Sequence, residues 1–348
     1  MGLMEQTISR GKTLSIAKIQ VQRAGYVIVQ DLGRTGLAAI GISANGAGDQ
    51  SSARLANILV GNGDGDALIE IIASELVVKV DSDLLIAVTG AAKSFEIDSV
   101  SHATHETLVV LSGSTIFIPA PVNGQRTYLA INGQIQAPTI LGSVGPDSFL
   151  DFGQRLIGGT ELSIETHFNA ELLGSDFPMF RFNFPAPNHP NEIRLLATVG
   201  PDVDRLKAGA AGLEEQFTVL PQSDHVGMRL SGVDLELVVA GEILSRGVPI
   251  GAVEVTPSGE LIILLRGRLL TAGYPVVAVL TRSAIDQASQ ATPGTKVTIA
   301  VVDMDVAQRE LAEKEHLLGQ LSVRVAQAFS TRGWQQLLAV DHSSFRNL

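Results

Sequence analysis

Short apolar runs rich in Val and Ile, each closed off by Gly, Asn, Asp or Pro, recur along the whole sequence. Runs of this length are too short to lay down a helical stripe and suit strands that alternate or are wholly buried, so the chain is expected to be mainly β. Residues 18–22, 26–30, 67–72, 76–80, 84–88 and 115–118 are examples in the first half. Residues 192–196, 235–240, 248–255, 261–265 and 296–302 repeat the pattern in the second. Arg23-Ala24-Gly25 reads as a tight hairpin connection between the first two strands, because Gly tolerates the dihedrals of such a turn.

Helices are expected in three places. Asp49 is a good N-cap for residues 49–60, with Leu55, Ile58 and Leu59 on one face and Gly61-Asn62-Gly63 as the stop. A second helix is expected near residues 202–216, weakened by Gly209 and Gly212. The third runs from Asp305, with Gln308 completing a capping-box-like start, through Leu311, Leu318, Leu321, Val325 and Phe329 at helical spacing. Its Leu face has two readings, packing on this chain's own β core or on another subunit. Phe and Pro alternate with Asn and His over residues 176–191, a stretch too poor in backbone donors for a central strand. The expected division is therefore a β-rich domain over 1–175, a linker over 176–191, a β domain over 192–303, and a C-terminal helix and tail over 304–348.

Composition narrows the function. With 25 Lys and Arg against 36 Asp and Glu, the formal charge is −11, which repels a phosphate backbone, so no nucleic-acid partner is expected. Aromatic residues are too few (Phe 12, Tyr 3, Trp 1) for a base-stacking platform. Mean hydropathy is positive, +0.25, yet no run approaches the roughly 18 apolar residues of a membrane span. The first residues show no signal-peptide pattern and cysteine is absent, so a cytoplasmic protein without disulfides or thiolate chemistry is expected.

Familiar catalytic motifs are missing. There is no Walker A sequence, no strand followed by G-x-G-x-x-G, and no G-x-S-x-G elbow. Gly61-Asn62-Gly63-Asp64-Gly65-Asp66 is followed by residues 67–72, which read as a strand where a calcium loop needs a helix, so it reads as a helix stop and turn. His102 and His105 have no third ligand nearby, so a solvated loop is expected there and no metal site. Four stretches instead concentrate glycine and polar groups within apolar β sequence: residues 29–34, 45–49, 226–232 and 270–275. Converging loops of this kind would make an anion or amide pocket, with Arg offering a fork of donors to a carboxylate. The alternative is that Asp31 and Arg34 cap turns and Tyr274 bonds a backbone carbonyl.

Taken in order, these stretches resemble the KipA-like family, also called allophanate hydrolase subunit 2 or biotin-dependent carboxyltransferase-like proteins. The likeness runs from about Ile19 to about Val302: V-x-x-x-G-x-x-x-x-Q-D-x-G-R at 21–34, Asn45-Gly46-Ala47-Gly48-Asp49 for S-G-A-x-D, A-N-x-L-V-G-N at 56–62, then Glu70, T-G-A at 89–91 and G-x-R-x-Y-L-A at 124–130. Leu141-Gly142-Ser143 and residues 153–156 also match. The second half departs from the pattern. His225 stands where the family has Arg, Arg246 for an acid, Glu254 for Gln and Gly267 for Asp.

The resemblance implies two β-rich domains including a cyclophilin-like barrel, with few helices. It implies work beside a KipI-like (PxpB-like) partner and, in 5-oxoprolinase, a PxpA-like third component, with ATP used by the complex and no cofactor in this chain. A biotin-carrying A-M-K-M lysine is absent. The implied reaction is ATP-dependent opening of a small amide or lactam, such as 5-oxoproline to glutamate or an allophanate-type hydrolysis, by a chain inactive alone. Pocket candidates are Arg229 for a carboxylate, Glu254 and Thr271 for an amide, Tyr274 as a closing donor, and Gly273, Arg34, Asp49 and Asn57; no residue is identified as positioning water. The alternative is a regulatory protein of KipA type that antagonises a KipI-like inhibitor of a histidine kinase.

Overall fold

The computed structural model describes residues 14–169, 186–238 and 243–338. The first part is an 11-stranded sheet and the second a closed barrel of seven strands. The expected linker lies mostly outside the described residues, with 186–191 leading into the barrel.

The opening strand runs unbroken over Ser15–Gln30, against the hairpin expected at Arg23-Ala24-Gly25. Ile19, Val21, Val27 and Val29 are all buried, and both ends pair with one long strand, Leu68–Val80. The extra residues are absorbed as register shifts between Val21 and Arg23 and between Ala24 and Tyr26, so the chain bulges where a reversal is expected from its sequence. Residues 67–72 and 76–80 likewise belong to that single partner strand, apart from Ala67 just before it.

The first helix, α1 (Gln50–Val60), starts where expected: Asp49 accepts from the Ser52 N–H, and Gly61 closes it. Two close approaches explain the glycines just before it. A Cβ at Gly33 (φ +86) would sit 2.3 Å from the Ala44 oxygen, and one at Gly46 (φ +90) 2.5 Å from the Leu32 carbonyl. Arg34 N–H to Ala44 O and Ala47 N–H to Asp31 O, both 2.8 Å, bind the two crossing loops together.

In place of the helix expected near 202–216 there are two 3-10 turns, Val203–Arg205 and Gly209–Glu214, because Gly209 takes φ +56 and breaks the run. Residues 235–240 form no regular strand as far as Val238; Leu237 makes one bridge, to Leu206, and 239–242 lie outside the described residues. The strand expected over 248–255 is shorter, Ala252–Val255. A helix that the sequence pattern does not announce, α2 (Arg282–Gln290), is capped by Thr281, whose hydroxyl accepts from Ala284 N–H. The last helix, α3 (Met304–Thr331), begins at Asp303 without a side-chain cap, not with the capping box expected at Asp305. Leu318, Leu321, Val325 and Phe329 pack with Leu55, Ile58 and Leu59 of α1, which selects packing on the chain's own core. Among the described residues no helix is long and apolar enough to cross a membrane.

A buried polar junction joins the sheet to the barrel. Asp286 of α2 accepts from the Gln50 N–H (3.1 Å), the Ser51 N–H (3.3 Å) and the Ser51 hydroxyl, the free donors at the start of α1. Arg266 of the barrel (3.2 Å) and Lys314 of α3 (2.8 Å) pair with the same carboxylate. Burial pushes the Asp286 carboxyl up, but Lys314 and Arg266 outweigh it and hold the group below the usual carboxylate range. Asp286→Ala strands two cations and removes the acceptor of the first two N–H groups of α1. It is expected to cost about 3–5 kcal/mol in urea unfolding; a loss under about 1 kcal/mol would show that the junction is not structural.

Candidate functional site

Alternation along the barrel strands sends Met228, Leu230, Val253, Val255, Leu261 and Ile263 inward, into one apolar core. Their neighbours therefore face out. Strand register then sets Arg229 opposite Ile262 and Ile262 opposite Glu254, a row across three adjacent strands. Two strand spacings put the outer members about 10 Å apart at Cα, within the span of a small molecule plus two side chains. Beside this row a short ribbon pairs Arg246–Gly247 with Thr271–Ala272. Between ribbon and wall lies a cavity of about 440 Å³ whose lining includes Arg229, Glu254, Ile262, Thr271, Gly273 and Tyr274.

Glu254 is the unusual group in it. The residue is only 2% exposed, and its Oε1 has no hydrogen-bond partner. Burial raises the carboxyl to about 7, with the Arg246 charge pulling the other way. Arg229 keeps its guanidinium partly exposed, with Glu260 at 3.8 Å. Tyr274 packs on the apolar floor formed by Val248, Ala252, Ile262, Leu264 and Val276. A cation, a carboxyl able to take or give a proton near neutrality, and a threonine hydroxyl thus surround a small apolar floor.

The remaining sequence candidates lie elsewhere, in buried networks. Arg34 donates to the Gly145 and Ile140 carbonyls and pairs with Asp147 at 3.4 Å, tying down the 140–147 loop. Asn57 donates to Asp66 O at 2.8 Å, fastening the turn after α1. Asp49 accepts from Ser52 and from Gln290 Nε2 (2.9 Å), a bond between the two β units, and its carboxyl is raised by burial and by the nearby Asp286 charge. Neither Arg34, Asp49 nor Asn57 is among the residues lining the barrel-wall cavity.

A larger cavity, about 540 Å³, lies between sheet and barrel and is lined by Glu70, Arg126 and Arg266 among others. Its polar groups are mutually engaged: Glu70 accepts from Tyr128 Oη (2.7 Å) and Gly48 N–H (3.1 Å) and lies 3.6 Å from Arg126. Asp224 lines both cavities. From sequence, Glu70, Arg126, Tyr128 and Asp224 are only motif letters, and Arg266 has no role; the buried charge in otherwise apolar strands is the available signal for Glu70 and Arg126.

Two of the departures from the family pattern, His225 and Gly267, meet in space. His225 packs on Gly267 so closely that a Cβ there would lie 2.3 Å from the imidazole Cδ2. Arg246 is ion-paired with Asp202. The solvated loop expected around His102 and His105 is corrected for His105, which is 1% exposed: its N–H bonds Val88 O at 2.7 Å, folding the turn back onto the sheet. Burial, with help from nearby His189, lowers its imidazole to about 4.

Glu254→Gln tests the carboxyl directly. Because the folded-state value lies above the ordinary 4.5, the fold holds the proton more tightly than the unfolded chain does, and stability is lost as pH rises from about 4.5 through about 7. The glutamine variant has nothing to ionise. It is expected to gain about 1–3 kcal/mol on wild type in urea unfolding between pH 4.5 and pH 8; an equal difference at both pH values would contradict the assignment.

Comparison with known proteins agrees with this architecture. The C subunit of 5-oxoprolinase from Escherichia coli (strain K12) is 28% identical over 314 residues, 88% of this chain and 98% of that protein. The crystal structure of TTHA0988 superposes with a TM-score of 0.71 at 29% identity over 82% of this chain, which spans 56% of that one. The K. lactis urea amidolyase shares the fold, with a TM-score of 0.77 at 23% identity over 87% of this chain and 20% of its own. The model of the carboxyltransferase domain, subdomain A and B, matches residues 40–300. With most of its length inside that match, the chain belongs to the carboxyltransferase domain family, subdomains A and B.

Proposed function

We propose that this protein is the C-type component of a heteromeric, ATP-dependent amidohydrolase of the 5-oxoprolinase kind, and that it binds a small carboxylated lactam in the barrel-wall cavity. The observation that carries the reading is the row Arg229–Ile262–Glu254, which sets a guanidinium and a buried carboxyl whose Oε1 has no hydrogen-bond partner on either side of one apolar floor. A ligand lying on Ile262 would give its carboxylate to Arg229 and its ring N–H to Glu254, with the Thr271 hydroxyl at the amide edge and Tyr274 closing the floor. The 28% identity to the C subunit of a 5-oxoprolinase, over nearly that protein's whole length, supports the substrate class.

A lactam is a poor electrophile because its nitrogen lone pair is delocalised into the carbonyl. ATP used by the assembly would supply activation of the amide oxygen, so that water can add to the carbonyl carbon. This chain's share is to fix the substrate's orientation and to exclude bulk water at the N–H, which is why it is inactive alone. The partners are KipI-like and PxpA-like proteins in the cytoplasm. In this reading the barrel is the substrate domain, and residues of the sheet together with barrel loops line the second cavity.

The alternative, an antagonist of a KipI-like kinase inhibitor, is favoured by one observation: every departure from the family pattern lies at or beside a cavity. The two readings separate on reconstitution with the KipI-like and PxpA-like partners. ATP-dependent release of glutamate from 5-oxoproline is expected from the complete mixture, and Arg229→Ala is expected to lower kcat/KM about 30- to 300-fold. An unchanged kcat/KM in that variant would remove the carboxylate role. No turnover of 5-oxoproline or allophanate by the complete wild-type mixture would leave the antagonist.

A further inference from the structure

Glu254 meets the cavity from within a wall that offers an ion little. Ile262 stands opposite it on one neighbouring strand and Val276 on the other, and both belong to the apolar floor with Ala252 and Leu264. The residue is 2% exposed and its Oε1 accepts no hydrogen bond. The charged groups around it are engaged elsewhere. Across Ile262, Arg229 faces Glu260 at 3.8 Å. On the ribbon, Arg246 is ion-paired with Asp202, whose Oδ2 also accepts from Val276 N–H at 2.8 Å. In the 224–227 turn, Asp224 accepts from Val226 N–H (2.8 Å) and Gly227 N–H (3.0 Å), and Tyr274 packs on the floor. A carboxyl without an ion-pair partner at this depth costs less to bury with its proton than without it. Its rise to about 7 agrees with that placement.

A neutral carboxyl carries an O–H donor beside a C=O acceptor. That is the edge a glutamine side chain presents, and glutamine is the residue of the family pattern at this position. The complementary edge is an amide whose N–H and C=O point the same way. Ordinary peptide bonds are trans and point the two groups in opposite directions, whereas closure into a small ring forces the amide cis. An ionised Glu254 could accept the ring N–H, but its other oxygen would then face the carbonyl oxygen of the ring, lone pair against lone pair.

We propose that Glu254 acts as a neutral carboxylic acid and is the specificity-determining residue of the barrel-wall cavity: its O–H and its carbonyl oxygen pair together with the C=O and N–H of one cis-amide edge, so that the site takes lactams and cyclic ureas and refuses lactones of the same shape. The assignment rests on reading the cavity as a small-amide site. The amide oxygen keeps its second lone pair for activation by the assembly. Because only the protonated form carries the full edge, binding above neutrality draws a proton from solvent.

Calorimetry on the full-length chain with its KipI-like partner, in two buffers of different ionisation enthalpy, counts that proton. The probes are L-5-oxoproline, its cyclic-urea counterpart and its lactone counterpart. With a midpoint of about 7 in the free protein, uptake of about 0.9 proton per ligand is expected at pH 8 and about 0.1 at pH 6, with binding about tenfold weaker at pH 8. Glu254→Gln presents the edge at every pH, so it is expected to take up no proton and to bind about tenfold more tightly than wild type at pH 8. The lactone is expected to bind at least about tenfold more weakly than the lactam at pH 6. Proton release on binding, affinity that rises with pH, a pH dependence that survives in Glu254→Gln, or equal affinity for lactone and lactam overturns the proposal. Binding of the cyclic urea with proton uptake, but none of L-5-oxoproline, removes the lactam reading and supports the cis-amide edge. Binding by neither ring overturns both.

Discussion

The carboxylate of Asp286 is shared by groups from both β units and from the last helix: the first N–H groups of α1, Arg266 from the barrel and Lys314 from α3. Such a group is costly to bury and is tolerated because donors surround it and two cations oppose its charge. Gln290, four residues on, extends the junction. Its Oε1 accepts from the N–H groups of Gln125 and Arg126 at 2.9 and 2.8 Å, and its Nε2 donates to Asp49 at 2.9 Å. One face of a nine-residue helix thereby fixes how the barrel sits on the sheet. The relative placement of the two cavities, and the sharing of Asp224 between them, follow from that junction.

On the barrel itself the governing constraint is the period of two along a strand. A barrel filled with Leu, Ile and Val must turn the intervening residues outward, and there the wall becomes available for chemistry. Arg229 and Glu254 are both products of this alternation, and strand register decides that they flank the same Ile262. The two cavities differ in kind. Between sheet and barrel, Glu70, Arg126 and Tyr128 satisfy one another, whereas on the barrel wall the Glu254 Oε1 is left without a partner. Unsatisfied buried polar atoms are expensive in a stable fold, and a ligand that completes the bond is the natural reason to retain one.

Much of this was legible in the chain. β-Branched runs marked the strands, Asp49 and the glycines after residue 60 bounded α1, and the Leu321–Phe329 spacing marked the face of α3 that is buried. The glycine-rich loops at residues 226–232 and 270–275 do converge, together with Glu254, on one cavity. What escaped depended on partners distant in sequence. Arg23-Ala24-Gly25 looks like a turn until it is paired with a strand as long as Leu68–Val80, which turns it into a bulge. The second helix is polar and small-residued, so its Thr281 cap was the main local signal. Arg34 and Asn57 carry donors that suit a pocket equally well, and only the carbonyls of residues 140, 145 and 66 show where those donors are spent. The pairing of His225 with Gly267 and of Arg246 with Asp202 is a property of space alone.

The claim on which the account turns is that the small-molecule site lies on the barrel wall and not between the sheet and the barrel. A crystal structure of this chain with its KipI-like partner, grown in the presence of L-5-oxoproline, addresses it directly. The account predicts ligand density over Ile262, with its carboxylate at Arg229 and its ring nitrogen toward Glu254. Ligand density instead among Glu70, Arg126 and Arg266, with the barrel-wall cavity empty, would contradict it.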